Sequence, residues 1–274
     1  MFYQIKILLL LFFLMCGLVV FSQGELQTSR EPDNYNLNCY GFKLNSNGYG
    51  LYYNFSHRIN FRLRNFIEAE YNYQKSPKEI KVINPYFDPN SMSKFVFGKT
   101  NSVHNLKFGY GYNKMIYQKR DKNSISIHLS GSFGVILGIS KPIYYEIVDS
   151  VRYSNNYLIP YTSYYKIDIN FQNNPTDILG KAPFNYGLNE IKLHPGIYSK
   201  FGVLFDFSQD VMKTKILETG IILDAFLNPV EIMAGHQNNL FLNLYISYHF
   251  GKKYNAILNR EYRKDLRKEN RKNN

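Results

Sequence analysis

The chain has 274 residues, a formal net charge of +12, 25 tyrosines, 21 phenylalanines, two cysteines and no tryptophan. One long apolar run and no second one excludes a helical transmembrane bundle. Cys16 lies inside that run, which leaves Cys39 alone in the remainder and excludes an intramolecular disulfide or a cysteine-based zinc site.

The first segment reads as a targeting signal. Lys6 gives a positive start, Ile7–Phe21 is apolar, and Val20 and Ser22 suit a cut before Gln23. The expected organisation is therefore a signal peptide at 1–22, one domain at 23–250 and a basic periplasmic tail at 251–274. The tail carries nine Lys or Arg against Glu261, Asp265 and Glu269, half of the total net charge. An exported chain with a mildly basic body is not expected to bind nucleic acid.

Eight segments alternate apolar and polar residues, the period of a β-strand. They are Asn38–Leu44, Tyr49–Ser56, Arg62–Lys75, Val103–Gln118, a run from Ile125 extending toward Val148, Ile191–Phe207, Thr214–Leu227 and Asn239–Phe250. The sorting is longest in the fifth. There Ile127, Leu129, Phe133, Val135 and Leu137 share one face, and Ser126, His128, Ser130 and Ser132 share the other. A tilted membrane-spanning strand needs about 9–11 such residues. The connections alternate in length. Those near Arg58, Arg120 and Gln209 are short, and the others include long loops at Ser76–Thr100 and Asp149–Glu190 and a medium loop at Asn228–Asn238. Bacterial barrels pair short periplasmic turns with longer outer loops. The expected fold is thus all-β, an eight-stranded antiparallel up-and-down transmembrane β-barrel.

Alternation alone does not say which face is out. The polar face holds glycines such as Gly109, Gly134, Gly202 and Gly220, small enough for a narrow eight-strand interior. It also mixes acids with bases. The expected lumen network is Glu68, Glu70, Asp206, Glu218 and Asp224 with Lys43, Arg62, Arg64, Lys107 and Lys200. An unpaired charge in such an interior would be costly.

The segment Leu240–Phe250, LFLNLYISYHF, is similar to the terminal strand of bacterial outer-membrane barrels. With the signal ending FSQ and the overall layout, the chain resembles the small outer-membrane β-barrel proteins of the Bacteroidetes group. That resemblance implies an outer-membrane location, lipid contact, and Phe250 as the aromatic that the barrel-assembly machinery reads. This chain departs from the pattern by continuing for 24 residues beyond Phe250.

The histidines are the residues best suited to carry chemistry. His128 and Ser130 resemble the His-x-Ser element of outer-membrane lipid A deacylases, though Ile127 and Gly131 flank them differently. Ser247 and His249 form a second same-face pair. The six histidines show no metal-ligand spacing, and neither a metal nor a cofactor is expected. The long loop is the better functional candidate, with Tyr153, Tyr157, Tyr161, Tyr164, Tyr165, Phe171 and Tyr186. Tyrosines make contacts at low entropic cost. The expected function is a non-enzymatic anchor, scaffold or surface-interaction module that meets a protein partner through the outer loops or the basic tail. The alternatives are a lipid-modifying hydrolase built on a Ser/His pair and a small diffusion channel.

Overall fold

The computed structural model describes residues 36–83, 94–119, 124–154, 157–166, 175–209 and 213–254. The expected signal peptide, Phe171 and the tail from 255 onward lie outside them.

Eight long strands close an antiparallel barrel: β1 (Asn36–Asn45), β2 (Gly48–Arg58), β3 (Leu63–Gln74), β6 (Asn101–Tyr117), β7 (Ser126–Pro142), β11 (Lys192–Asp206), β12 (Lys213–Met233) and β13 (His236–Tyr254). Each neighbours the next in sequence, and β13 returns to pair with β1, giving the up-and-down order. The outer connections hold the rest: a two-stranded ribbon of β4 (Lys81–Val82) and β5 (Phe95–Val96), and a three-stranded sheet of β8 (Tyr144–Ser154), β9 (Tyr157–Lys166) and β10 (Ile178–Lys181).

The register fixes the barrel's geometry. Starting at Leu240 and stepping across partners gives Ala225, Ile197, Val135, Phe108, Ala69, Tyr53, Tyr40 and then Phe250, ten residues along β13 from the start. An even offset returns the walk to the same face, as closure demands. With eight strands this stagger fits a tilt of about 35–45°.

The residues on that walk point outward. Phe133 is 59% exposed and Leu244 63%, with Phe42, Leu51, Ile67, Phe201 and Ile221 in the same belt. A soluble monomer rarely exposes so continuous an apolar surface. Closure meanwhile pairs the wall strands around the whole circumference, so no strand edge is left open across the middle of the wall. The barrel is inverted relative to a soluble one, with apolar residues facing lipid and polar residues facing the lumen. Aromatics flank the belt: Tyr49, Tyr71, Tyr73 and His104 pack together toward the long-loop end, and Tyr40, Tyr248 and Phe250 toward the short-turn end.

Two sequence expectations are corrected. The fifth strand does not run on to Val148. Barrel pairing of β7 ends at Pro142, which has no N–H to continue the ladder, and β8 leaves to pair with β9. The loop expected at Asn228–Asn238 is instead strand. The register jumps between Ala225 and Val230, a bulge that accommodates Pro229, and the hairpin then continues to a tight turn at Ala234–Gly235. Gly235 has φ 75°, where glycine carries no side-chain penalty.

That bulge has a structural effect. The extended hairpin bends across the barrel mouth and bonds to the start of β6, which is separated from β12 in the barrel by β11 and β7. Thr100 N–H donates to Ile232 C=O (3.0 Å) and Ala234 N–H to Gly98 C=O (2.8 Å). Beneath this strap Val103, Ile136, Tyr198, Ile222, Phe226, Val230, Ile232, Phe241 and Tyr245 form one buried apolar cluster. A smaller cluster of Leu37, Cys39, Leu204 and Ile216 lies at the short-turn end.

Candidate functional site

Two places gather polar and aromatic residues: the middle of the lumen and the outer sheet.

In the lumen, the inward parity of each strand brings polar side chains together through the middle of the barrel. Lys43 comes from β1, Tyr52 from β2, Glu68 and Glu70 from β3, and Lys107 from β6. Ser132 comes from β7, Tyr198 and Lys200 from β11, Glu218 and Asp224 from β12, and Tyr245 and His249 from β13. All eight wall strands contribute. Lys200 is the hub. Its ammonium donates to Glu68, and lies 3.2 Å from Glu70 Oε1 and 3.8 Å from Glu218 Oε1. Lys43 pairs with Glu70, and Lys107 with Asp224 at 2.6 Å. Hydroxyls complete the shell: Tyr198 and Ser132 donate to Glu68 at 2.8 and 2.5 Å, and Tyr245 donates to Glu218 at 2.7 Å. The tyrosine rings also face the cations, with Lys200 4.7 Å from the Tyr52 centroid and Lys43 4.8 Å from that of Tyr245. Two glycines make room. A Cβ on Gly109 would stand 2.1 Å from the Tyr198 hydroxyl, and one on Gly202 2.3 Å from that of Tyr245.

Three expected members sit elsewhere. Arg62 is exposed in the turn between β2 and β3, off the strand, so its parity places it on no barrel face. Arg64 is on β3, near the short-turn end, opposite Asn113 of β6. Asp206 ends β11 and accepts from the Ser208 N–H at 2.9 Å and the Ser208 hydroxyl, closing the β11–β12 turn. Position along the strand, which face alternation ignores, separates Arg64 and Asp206 from the central group, and Arg62 lies outside the strand altogether. Sequence reasoning missed Tyr52, Tyr198 and Tyr245. Their signal was present: each lies two residues from a polar lumen position, at Asn54, Lys200 and Ser247.

The serine–histidine pairs do not form relays. His128 Nε2 meets the Ser126 hydroxyl at 3.3 Å, not Ser130. His249 approaches both Ser247 (2.8 Å) and Glu218 (3.5 Å) through the same Nε2, whereas a serine–histidine–carboxylate relay uses both ring nitrogens. Both histidines are buried in the lumen.

The outer sheet is organised around its own core. Phe95, Ile143, Tyr145, Ile147 and Ile178 pack together, and the Tyr145 hydroxyl donates to the carbonyls of Val96 (2.6 Å) and Lys99 (2.8 Å). Burial and the nearby Glu79 carboxylate push this phenol's pKa up, so it stays protonated and donating. On the other face Tyr164 and Tyr186 meet at 4.4 Å, with Tyr144 beside them. Glu190 accepts from Tyr144 and from Lys166 (3.1 Å), and these bonds hold its carboxyl below the usual range. Tyr161, Tyr165 and Tyr186 are exposed, and Phe184 is 70% exposed under the Lys141 ammonium. Tyr153 and Tyr157 lie on the β8 and β9 backbones. Thus the loop aromatics divide between the sheet's own packing and its exposed surface.

No protein-family model and no curated protein matches the chain. Solved structures resemble it in outline. The attachment invasion locus protein Ail of Yersinia pestis gives a TM-score of 0.40 at 7% identity, covering 81% of this chain and 99% of that one. Ail in complex with the heparin analogue sucrose octasulfate gives 0.39 at 6%, with the same coverage. Neisserial surface protein A gives 0.36 at 9%, covering 81% and 96%.

Proposed function

We propose that this chain is a non-enzymatic outer-membrane anchor that presents its outer sheet, β8–β10, as an interaction surface. The observation that carries the reading is a contrast between two ends of one molecule. The lumen is filled by side chains bonded to one another and its mouth is crossed by the β12–β13 strap, whereas the longest connection is folded and shows aromatic side chains to solvent. A rigid wall committed to closure and lipid contact leaves recognition to the loops it holds.

The remaining assignments belong to the same proposal. The chain is exported by segment 1–22, and Phe250 serves the barrel-assembly machinery. Its kin are the small Bacteroidetes barrels, and the tail beyond β13, which ends at Tyr254 rather than at 250, lies in the periplasm. No cofactor or nucleic acid takes part. The test is to replace Tyr153–Tyr186 with a short Gly/Ser linker. Insertion and heat-modifiable migration should persist, because no wall strand is touched, and capture of protein partners from solubilised membranes should be lost. Retention of the same partners would sink the reading and turn attention to the basic tail.

A further inference from the structure

A cavity of about 370 Å³ opens beside the strap, lined by Lys75, Lys78, His236, Leu240, Leu242 and Met233 among others. It exists because β1 is short. β1 ends at Asn45 opposite Tyr245, and its turn reaches only Leu244, where Ser46 N–H donates to the Leu244 carbonyl at 2.8 Å. β13 continues to His236, so beyond Leu244 its edge on that side has no partner strand among the described residues. The turn after β3 stands opposite this edge.

That turn is held in place. Lys75 N–H donates to the Asn47 carbonyl at 2.7 Å, and Ser76 N–H donates to Glu79 Oε1 at 3.0 Å. Glu79 is its only carboxylate, and it is engaged by Lys99 at 2.6 Å. No acidic residue lines the cavity. Lys75 lies over the Tyr49 and Tyr73 rings at 5.6 and 5.8 Å, and Lys78 donates to His236 Nε2. Neither lysine has a carboxylate partner among the described residues. The wall below is apolar, since Leu240 and Leu242 continue the outward row of Leu244 and Ile246. Tyr49 and Tyr73 belong to the outer aromatic belt, which marks the height of lipid headgroups.

We propose that this notch binds a phosphate-bearing lipid of the outer leaflet. Lys75, Lys78 and His236 would face its phosphate, and its chain would lie along Leu240–Leu242–Leu244. Basic groups at an aromatic belt above an apolar strip match an anionic amphiphile on both counts. A free phosphate would use only the basic groups. An acidic peptide would use the β13 edge and leave the apolar strip idle.

The test uses the full chain in dodecyl maltoside micelles, followed by amide chemical shifts of residues 75–79 and 238–242. The probes are dihexanoyl phosphatidic acid, dihexanoyl phosphatidylcholine, inorganic phosphate and a hexaglutamate peptide. Phosphatidic acid should give saturable shifts at an affinity at least ten-fold above each of the other three. The double variant Lys75→Gln, Lys78→Gln, outside the barrel wall and expected to keep heat-modifiable migration, should lose that preference. Leu240→Ser with Leu242→Ser should weaken phosphatidic acid but not inorganic phosphate. Equal binding of phosphatidylcholine, equal binding of inorganic phosphate, tighter binding of the peptide, or an unaffected lysine double variant would each overturn the proposal.

Discussion

The lumen layer and the outer sheet are both rich in tyrosine and charge, yet they are built oppositely. In the central lumen group the lysines and carboxylates are buried and tied to groups from other strands, as Lys200 of β11 is tied to Glu68, Glu70 and Glu218 of β3 and β12. In the outer sheet Tyr144, Lys166 and Glu190 meet within one connection and remain half in water, and Tyr145 reaches the neighbouring connection at Val96 and Lys99 rather than the wall. The first arrangement trades solvation for closure of the wall. The second leaves surface available to others. Changes in the lumen should therefore register as stability, and changes on the sheet as recognition.

The largest effect should follow loss of the hub. Lys200→Met leaves three buried carboxylates short of their shared cation and should cost about 3–5 kcal/mol in urea unfolding from lipid vesicles. A cost below that of an ordinary surface substitution would break the comparison. Next comes the lipid face. Phe133→Arg, in the middle of β7 and facing out, should cost about 2–4 kcal/mol in the same assay. If the arginine is harmless, the face assignment is inverted. Gly109→Ala tests the fit of the tyrosine shell. The added methyl meets the Tyr198 hydroxyl inside a filled lumen, so a loss of about 1–3 kcal/mol is expected.

The smallest effect should be Glu190→Gln on the sheet, whose side chain is 46% exposed. A depressed carboxyl contributes above its ordinary pKa, and the contribution is lost as pH falls through the folded value. Limited proteolysis of the segment after Pro142 should therefore speed up in wild type below about pH 4. The variant should show little such step, and barrel unfolding should be unchanged in both. A shift of the whole barrel transition would mean that sheet and wall are one cooperative unit.

Much of the wall was legible because a strand sorts its side chains with a period of two. The alternation in Ile125–Ser140 and Leu240–Phe250 places each residue on its observed face. What alternation does not encode is height. Arg64 and Asp206 share parity with Glu68 and Lys200, but height is set by the ten-residue stagger accumulated over eight pairings, and Arg62 falls in the turn before β3. That stagger is a property of the closed barrel, not of any single strand. The strap was hidden for a related reason. Asn228 and Pro229 read locally as a turn, and only pairing with β13 and the start of β6 makes that stretch a bulged strand. In the outer sheet, the tyrosine density was visible, but Tyr145 and its cross-strand partner Tyr165 share one face, and Tyr145 is buried because Phe95 packs against it while Tyr165 stays exposed.

The contrast rests on a lumen that is filled rather than open. Single-channel recording of the full chain in a planar bilayer tests it most directly. The account predicts a silent membrane at potentials that leave the barrel folded, because the charged layer, the apolar cluster above it and the strap lie in series across the path. Steady, stepwise open-state currents that scale with the number of inserted barrels would contradict it.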